Sequence, residues 1–140
     1  MDKSSLVKDV DVGFSESVTV QVTDKMVRQF AELSGDHNPM HLDDEYAATT
    51  KFKRRIAHGM ISGALISSAL IECIGTGGIY LSQTMKFVNP VFIDDKLVIT
   101  ITITGLRKEK GIATVDTNVT KTTGEQVVKG EAIIMMRAPV

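Results

Sequence analysis

One long stretch of the chain, residues 59–75, is apolar on nearly every side and carries a single charged residue, Glu72. A helix that is apolar all round is either buried in a protein core or crosses a membrane. As a helix this stretch reaches only about 25 Å, which is short for a membrane span. Small residues within it, such as Ser62 and Gly63, would let other backbone approach closely. The pattern therefore predicts a buried central helix.

Most of the remaining chain alternates between apolar and polar positions, which is typical of half-buried strands. The alternation predicts strands at residues 15–22, 79–87, 97–104, 112–121 and 126–136. A first helix should begin after Thr23, an N-cap residue, and stop at Gly35, and an acidic first turn predicts a short helix over 43–48. Short turns join the last three strands, so they should pair antiparallel. We predict an α+β fold in which a five-stranded antiparallel sheet wraps around the central helix.

Composition and charge narrow the class of protein. The chain has 140 residues and a net charge of −1, which predicts one domain over residues 1–140 and gives no sign of a nucleic-acid surface. The single cysteine, Cys73, excludes a disulfide within the chain and suits a reducing compartment. The first residues contain no apolar run of the kind found in signal peptides. We expect a cytoplasmic protein with no membrane and no nucleic-acid partner.

The densest polar cluster lies between the two predicted helices that precede the central one, and it contains Asp36 and His41. A carboxylate and an imidazole on opposite sides of Pro39 could both point at one water molecule. Histidine has an ordinary pKa of about 6.5, so it can accept or donate a proton near neutrality. The alternative is that Asp36 caps the short helix and His41 is an ordinary loop histidine. Spacing alone leaves both interpretations open.

A metal site is a competing interpretation of the same cluster, because His37 and His41 are four positions apart. Such a pair shares one face only on a continuous helix, and Pro39 interrupts it, so we expect no metal. The basic run Lys53, Arg54 and Arg55 either is a solvated loop or attracts phosphate groups.

The central helix begins after His58, at Gly59, where backbone N–H groups have no acceptor within the helix. The Gly59 N–H, supported by the helix dipole, could donate to a developing oxyanion. Alternatively, His58 stacks at the helix entrance and Gly59 permits a tight turn. Together with Asp36 and His41, the first interpretation supplies the groups needed for chemistry beside an activated carbonyl.

Four segments carry a family resemblance: residues 30–43, 56–60, 79–83 and 87–91. The first resembles the hydratase-2 motif of MaoC-like, R-specific enoyl-CoA hydratases. The resemblance implies a hot-dog fold, a homodimer or dimer of dimers, and an acyl-CoA or acyl-carrier-protein thioester as substrate. One position departs from the family pattern, because Asp94 stands where glycine is usual.

The resemblance also implies roles for individual residues. Asp36 and His41 occupy the positions of the catalytic pair, and Gly59 occupies that of the oxyanion donor. Asn38 supports the loop, and Ser67 lies close behind the pair; we count both among the substrate-binding residues, together with His58.

The predicted reaction is the reversible addition of water to a trans-2-enoyl-CoA, which gives the (R)-3-hydroxyacyl-CoA. No cofactor is expected, because the thioester itself acidifies the α-carbon. Two alternatives remain: a hot-dog thioesterase, and a non-catalytic acyl-CoA-binding or accessory subunit. We expect the acyl tail to follow the central helix toward Leu70, with Ile134 on the last strand as a second wall. The basic run should lie near the CoA entrance.

Overall fold

The computed structural model describes residues 10–136, in which five strands and four helices are present. The strands are β1 (Ser15–Gln21), β2 (Ile79–Phe87), β3 (Lys96–Arg107), β4 (Ile112–Lys121) and β5 (Gln126–Met135). The helices are α1 (Asp24–Ser34), α2 (Pro39–Leu42), α3 (Asp44–Ala48) and α4 (Gly59–Ile74). The predicted strands and the central helix α4 are confirmed, with ends that differ by three residues at most.

The five strands form one antiparallel sheet in the order β1-β3-β4-β5-β2. In β3 the side chains of Leu97, Ile99, Ile101 and Ile103 are at most 1% exposed and belong to one apolar core with the buried residues of α4. Fully burying each such side chain contributes roughly 1.5–3 kcal/mol. The core therefore lies between one face of the sheet and α4.

Register shifts interrupt three of the strand pairs. They fall between Tyr80 and Ser82 in β2, between Ile103 and Gly105 in β3, and between Val119 and Thr120 in β4. An extra residue on one strand of a pair bends it and increases its twist. These shifts explain how the sheet curls around a single helix, as the alternation pattern predicted.

The two edges of the sheet differ in character. On β1, Ser15 and Ser17 exchange hydroxyl hydrogen bonds of 2.8 Å with threonines of β3. On β2 and just after it, large apolar side chains are exposed, notably Leu81 at 47% and Phe87 at 51%. The β2 edge thus has the apolar surface that a partner would cover.

The predicted start and end of α1 are confirmed. Thr23 caps the helix by accepting a hydrogen bond from the Met26 N–H, and Gly35 ends it in the left-handed region with φ 77°. Helix α2 differs from the prediction, which has Pro39 interrupting any helix between residues 37 and 41. Proline is favoured at the first helical position, where its missing N–H is not needed, and Asn38 caps the turn by accepting from the Met40 N–H.

The departure at Asp94 has a structural counterpart. Asp94 adopts φ 73°, the left-handed region in which glycine is strain-free, and its N–H donates to the Val22 carbonyl at 2.6 Å. The neighbouring Asp95 carboxylate accepts from the Phe92 N–H at 2.8 Å, which fixes the turn. The conformation expected of a glycine is therefore kept with aspartate in place.

None of the helices between residues 10 and 136 is long and apolar enough to span a membrane.

Candidate active site

The loop between α1 and α2 is shaped by a series of side-chain hydrogen bonds. Ser34 Oγ accepts from the Asp36 N–H at 3.1 Å, and Asp36 Oδ1 accepts from the Asn38 N–H at 3.2 Å. Asn38 Oδ1 in turn accepts from the Met40 N–H at 3.2 Å. Asp36 does act as a local turn former, but through one oxygen only. The alternative that Asp36 caps the short helix is wrong, because Asn38 caps α2 and Asp43 caps α3.

The other oxygen of Asp36 faces His41. Asp36 Oδ2 and His41 Nε2 are 4.0 Å apart, and the Asp36 side chain is 50% exposed whereas that of His41 is 9% exposed. The separation is too long for a direct hydrogen bond. A water molecule donating to both atoms could bridge them. The structure thus brings together the two residues that the sequence singled out.

The tautomer of His41 follows from its second ring nitrogen. Nδ1–H donates to the Ile56 carbonyl at 2.7 Å, so the lone pair of a neutral ring lies on Nε2, toward Asp36. Burial lowers the pKa of His41 and the nearby His58 lowers it further, against opposing effects of the Ile56 carbonyl and Asp36. His41 is therefore a neutral acceptor near pH 7.

His58 contacts both Asp36 and His41. Its Nε2–H donates to the backbone carbonyl of Asp36 at 3.0 Å, and its ring stacks on His41 with centroids 3.9 Å apart. Phe30 packs against the other side at 4.9 Å. Among residues 10–136, His58 Nδ1 is the one buried side-chain nitrogen or oxygen without a hydrogen-bond partner. Its contacts therefore place His58 behind the pair, where it positions both residues.

Gly59 is the first residue of α4, where the leading N–H groups have no acceptor within the helix. A methyl group built on Gly59 would lie 3.0 Å from the Phe87 ring, which explains why glycine stands here. Gly59 lines a cavity of about 330 Å³ together with His41, His58 and Ser62. We call this space the catalytic cavity. A carbonyl oxygen that enters it can approach the N–H groups at the start of α4.

The substrate-binding residues expected from the sequence divide between two places. Ser67, Leu70 and Ile134 line a second, apolar cavity of about 150 Å³ at the C-terminal half of α4, which we call the tail cavity. Ser67 is thus not part of the catalytic cavity. The serine that lines the catalytic cavity is Ser62, which is 3% exposed and was not predicted. It lies one helical turn after Gly59, and that spacing is the signal that could have identified it.

The basic run does not act as one unit. Arg55 is buried at 9% exposure; its guanidinium binds Asp24 at 2.7 Å and Asp44 at 2.9 Å, and it also donates to the His41 carbonyl at 3.3 Å. Arg54 lies over the Phe92 ring at 3.8 Å. Arg55 therefore ties α1, α3 and the His41 loop together and is not a cation held ready for phosphate, contrary to the role considered for the whole run. Lys53 and Arg54 are exposed.

The metal pair considered from the sequence does not form. His37 turns away from His41, with contacts of 3.2 Å to the Gly35 carbonyl and to Glu32. Asp36, His41 and His58 do offer one ligand atom each within 4.8 Å of one another. The rings of His41 and His58 stack with centroids 3.9 Å apart, and His58 Nε2–H already donates to the Asp36 carbonyl, so only its Nδ1 is left as a ligand atom. The arrangement favours a bound water over a metal ion.

Comparison with known proteins agrees with this fold. Residues 7–126 match the MaoC-like domain, and the chain belongs to that family. It is 42% identical to the (R)-specific enoyl-CoA hydratase of Rhodospirillum rubrum over 94% of this chain and 91% of that one. Among solved structures, the unliganded R-hydratase PhaJ1 from Pseudomonas aeruginosa superimposes with a TM-score of 0.89 at 43% identity, over 94% of this chain and 84% of that one. The (R)-hydratase from A. caviae gives a TM-score of 0.88 at 38% identity, covering 94% and 99%. The predicted hot-dog fold and family are confirmed.

Proposed function

We propose that the protein is an R-specific enoyl-CoA hydratase, which reversibly adds water to a trans-2-enoyl thioester. The observation that carries this proposal is the 4.0 Å gap between Asp36 Oδ2 and His41 Nε2, beside the N-terminus of α4. Two acceptors at this spacing can hold one water, and a helix N-terminus can hold an oxyanion. The relatives from Rhodospirillum rubrum and Aeromonas caviae are named (R)-specific enoyl-CoA hydratases, and this supports the R configuration proposed for the product.

In the proposed mechanism, Asp36 accepts a proton from the shared water while the water oxygen attacks C3 of the substrate. Neutral His41 accepts the second hydrogen bond of that water and so fixes its direction. As the C3–O bond forms, negative charge moves onto the thioester oxygen, and the Gly59 N–H with the helix dipole stabilises it. The proton that Asp36 accepted is then delivered to C2, with His41 taking part in the transfer, so the Asp36 carboxylate is regenerated and the site regains its starting protonation state.

The tail cavity supports an assignment for the acyl chain. Its lining is mostly apolar and includes both residues proposed to close the chain path, Leu70 and Ile134. A pocket for an alkyl tail needs such walls and few polar groups. In this proposal the thioester lies at the N-terminal end of α4 and the tail points to its C-terminal end. Lys53 and Arg54, both exposed, are proposed to meet the phosphates of CoA.

We propose further that two copies pair along the β2 edges. This edge exposes Ile79, Leu81, Phe87 and Val88 at 41–51%, whereas the opposite edge is polar. An open apolar edge invites pairing with a second chain. The mass measured by light scattering at micromolar concentration should be at least twice 15.2 kDa. A fully active monomer would contradict this assembly. The cytoplasm is the compartment we propose, since a chain with one cysteine needs no oxidising environment to fold.

The test is incubation of the protein with crotonyl-CoA. Hydration removes the enoyl absorbance without releasing free thiol, and chiral analysis of the product should give (R)-3-hydroxybutyryl-CoA. Release of free CoA would instead identify a thioesterase. The absence of any turnover by a folded protein, with binding retained, would identify an accessory acyl-CoA-binding subunit.

A further inference from the structure

The catalytic cavity and the tail cavity are separate spaces in this structure, and both lie against α4. Gly59 and Ser62 line the first, and Ser67 and Leu70 line the second. From Gly59 to Leu70 the helix advances about 16 Å, at 1.5 Å per residue. A substrate with a short tail fits the first cavity alone. A longer tail has to cross the stretch of helix between them.

That stretch is covered by a methionine. A methyl group built on Gly63 would lie 3.1 Å from Met85 Cε and 3.4 Å from Met85 Sδ. The end of the Met85 side chain therefore rests directly on the backbone of α4. Met60 Cε, at 3.6 Å from the same point, flanks it. Gly63 thus lies on α4 between the residues that line the two cavities, and Met85 and Met60 cover it there without lining either cavity.

The same pattern occurs one turn earlier with a rigid side chain. Gly59 and Gly63 are four residues apart and so lie on one face of the helix, while Phe87 and Met85 are two apart and lie on one face of β2. Phe87 covers Gly59 and Met85 covers Gly63. The difference is that a phenylalanine ring is stiff, whereas methionine has three rotatable bonds and adapts to irregular spaces.

The surroundings of Met85 leave it able to move. Met85 pairs across the sheet with Gly130, which offers no side chain to hold it. The nearest side chains to a methyl group on Gly130 are those of Thr117 and Gln83, at 2.7 and 2.9 Å. Met85 itself is only partly buried. Met85 thus packs against the apolar core as well as α4, with a glycine opposite it on β5.

We propose that Met85 is a movable gate between the catalytic cavity and the tail cavity, and that it sets the chain length the enzyme accepts. With Met85 over Gly63, short enoyl chains bind without rearrangement. Longer chains bind by displacing the Met85 side chain from the helix. This inference rests on the proposed hydratase function and adds a specificity-determining residue to it.

The experiment compares kcat/KM for crotonyl-CoA and trans-2-octenoyl-CoA in the wild type and in three variants: Met85→Ala, Gly63→Ala and the double variant. Met85→Ala opens the passage and should raise the octenoyl-to-crotonyl ratio by about 10-fold or more, the scale of a methylene-sized change in an apolar pocket. Gly63→Ala places a methyl group against Met85 and should lower the ratio by about as much. Alanine is also the better helix former, so this variant should fold. The matched control is Met26→Ala, which removes a partly buried methionine of α1 that lines neither cavity.

The double variant separates a gate from simple crowding. If Met85 is the gate, Gly63→Ala has no effect once Met85 is alanine, and the double variant matches Met85→Ala. A ratio that Gly63→Ala still lowers in the absence of Met85 would overturn the proposal, as would an unchanged ratio in Met85→Ala. Should Met85→Ala not fold, an unchanged ratio in Gly63→Ala is sufficient to overturn it. Failure of the wild type to hydrate crotonyl-CoA would instead refute the proposed function.

Discussion

The two ends of α4 are built from different interactions, and we propose that they serve different purposes. At the N-terminal end, His41 and His58 are buried and their ring N–H groups donate to backbone carbonyls, so each ring has one defined orientation. At the C-terminal end, the tail cavity is shaped by apolar side chains such as Leu70 and Ile74. Directional bonds fix atoms for chemistry, whereas apolar walls fix only a volume. Substitutions at the first end should therefore change the rate, and those at the second should change the preferred chain length.

The largest effect is expected at the N-terminal end. Asp36→Asn and His41→Gln should each lower kcat by at least about 10²-fold, because an amide can accept a hydrogen bond but cannot take a proton near neutrality. The octenoyl-to-crotonyl ratio should stay the same, since the tail cavity is untouched. Steady-state kinetics with both substrates measures this.

Controls for these two variants come from the same loop. Asp43→Asn keeps a good N-cap for α3, and His37→Gln alters an exposed histidine; both should retain most activity. Near-normal hydration by a folded Asp36→Asn protein would refute the mechanism. Loss of activity only through unfolding would mean that Asp36 serves the structure of the loop, through its hydrogen bond to the Asn38 N–H, and not the reaction.

At the C-terminal end, Leu70→Ala should enlarge the tail cavity and raise the octenoyl-to-crotonyl ratio by about 10-fold with little change for crotonyl-CoA. Leu65→Ala is the matched control, because Leu65 lies on the same helix and packs on the core without lining either cavity. An unchanged chain-length profile in Leu70→Ala would place the acyl chain elsewhere.

The orientation of the N-terminal end also depends on Arg55. Lysine cannot make the forked contact of the Arg55 guanidinium with Asp24 and Asp44, so Arg55→Lys should lower the free energy of unfolding by about 1–2 kcal/mol. The loss should be smaller than for a fully buried ion pair, because both carboxylates are partly exposed. It should also lower kcat more than it raises KM, since the His41 carbonyl loses its donor. Denaturant unfolding and kinetics measure the two effects. Arg28→Lys, at an exposed ion pair with Asp24, should change stability by no more than about 0.5 kcal/mol.

A smaller effect distinguishes the two loop histidines. NMR titration should give His41 a pKa below the ordinary 6.5, because burial disfavours its charged form. It should give His37 a pKa above 6.5, because hydrogen bonds to Glu32 and the Gly35 carbonyl favour its charged form. As pH falls below 6.5, the unfolded chain binds a proton at His41 before the folded protein does, so His41 lowers stability on acidification. The reverse order of the two pKa values would contradict the burial of His41 and the pairing of His37 with Glu32.

The sequence predicted what depends on local pattern and missed what depends on contacts between distant segments. Thr23 and Gly35 delimit α1 by local chemistry, and alternation located the strands. In the sequence, Arg55 belongs to a basic run, and nothing nearby indicates an acidic partner. Its partner Asp24 lies 31 positions away, and only the fold brings the two together.

The choice between Ser62 and Ser67 illustrates a second limit. Helix α4 is apolar on nearly every side, so its sequence does not indicate which face meets the active site. The resemblance placed Ser67 near the catalytic pair, while the structure has Ser62 in the catalytic cavity. The proposed catalytic pair was accessible to the sequence, because Asp36 and His41 belong to one short segment with a distinctive motif.

The most direct test of the account is the kcat of the double variant, Asp36→Asn with His41→Gln, on crotonyl-CoA. If the two residues share one water, either single substitution already disables it, and the double variant should be within about threefold of the poorer single variant. Effects that multiply, so that the double variant loses the product of the two single losses, would contradict a shared water and mean that Asp36 and His41 act in independent steps.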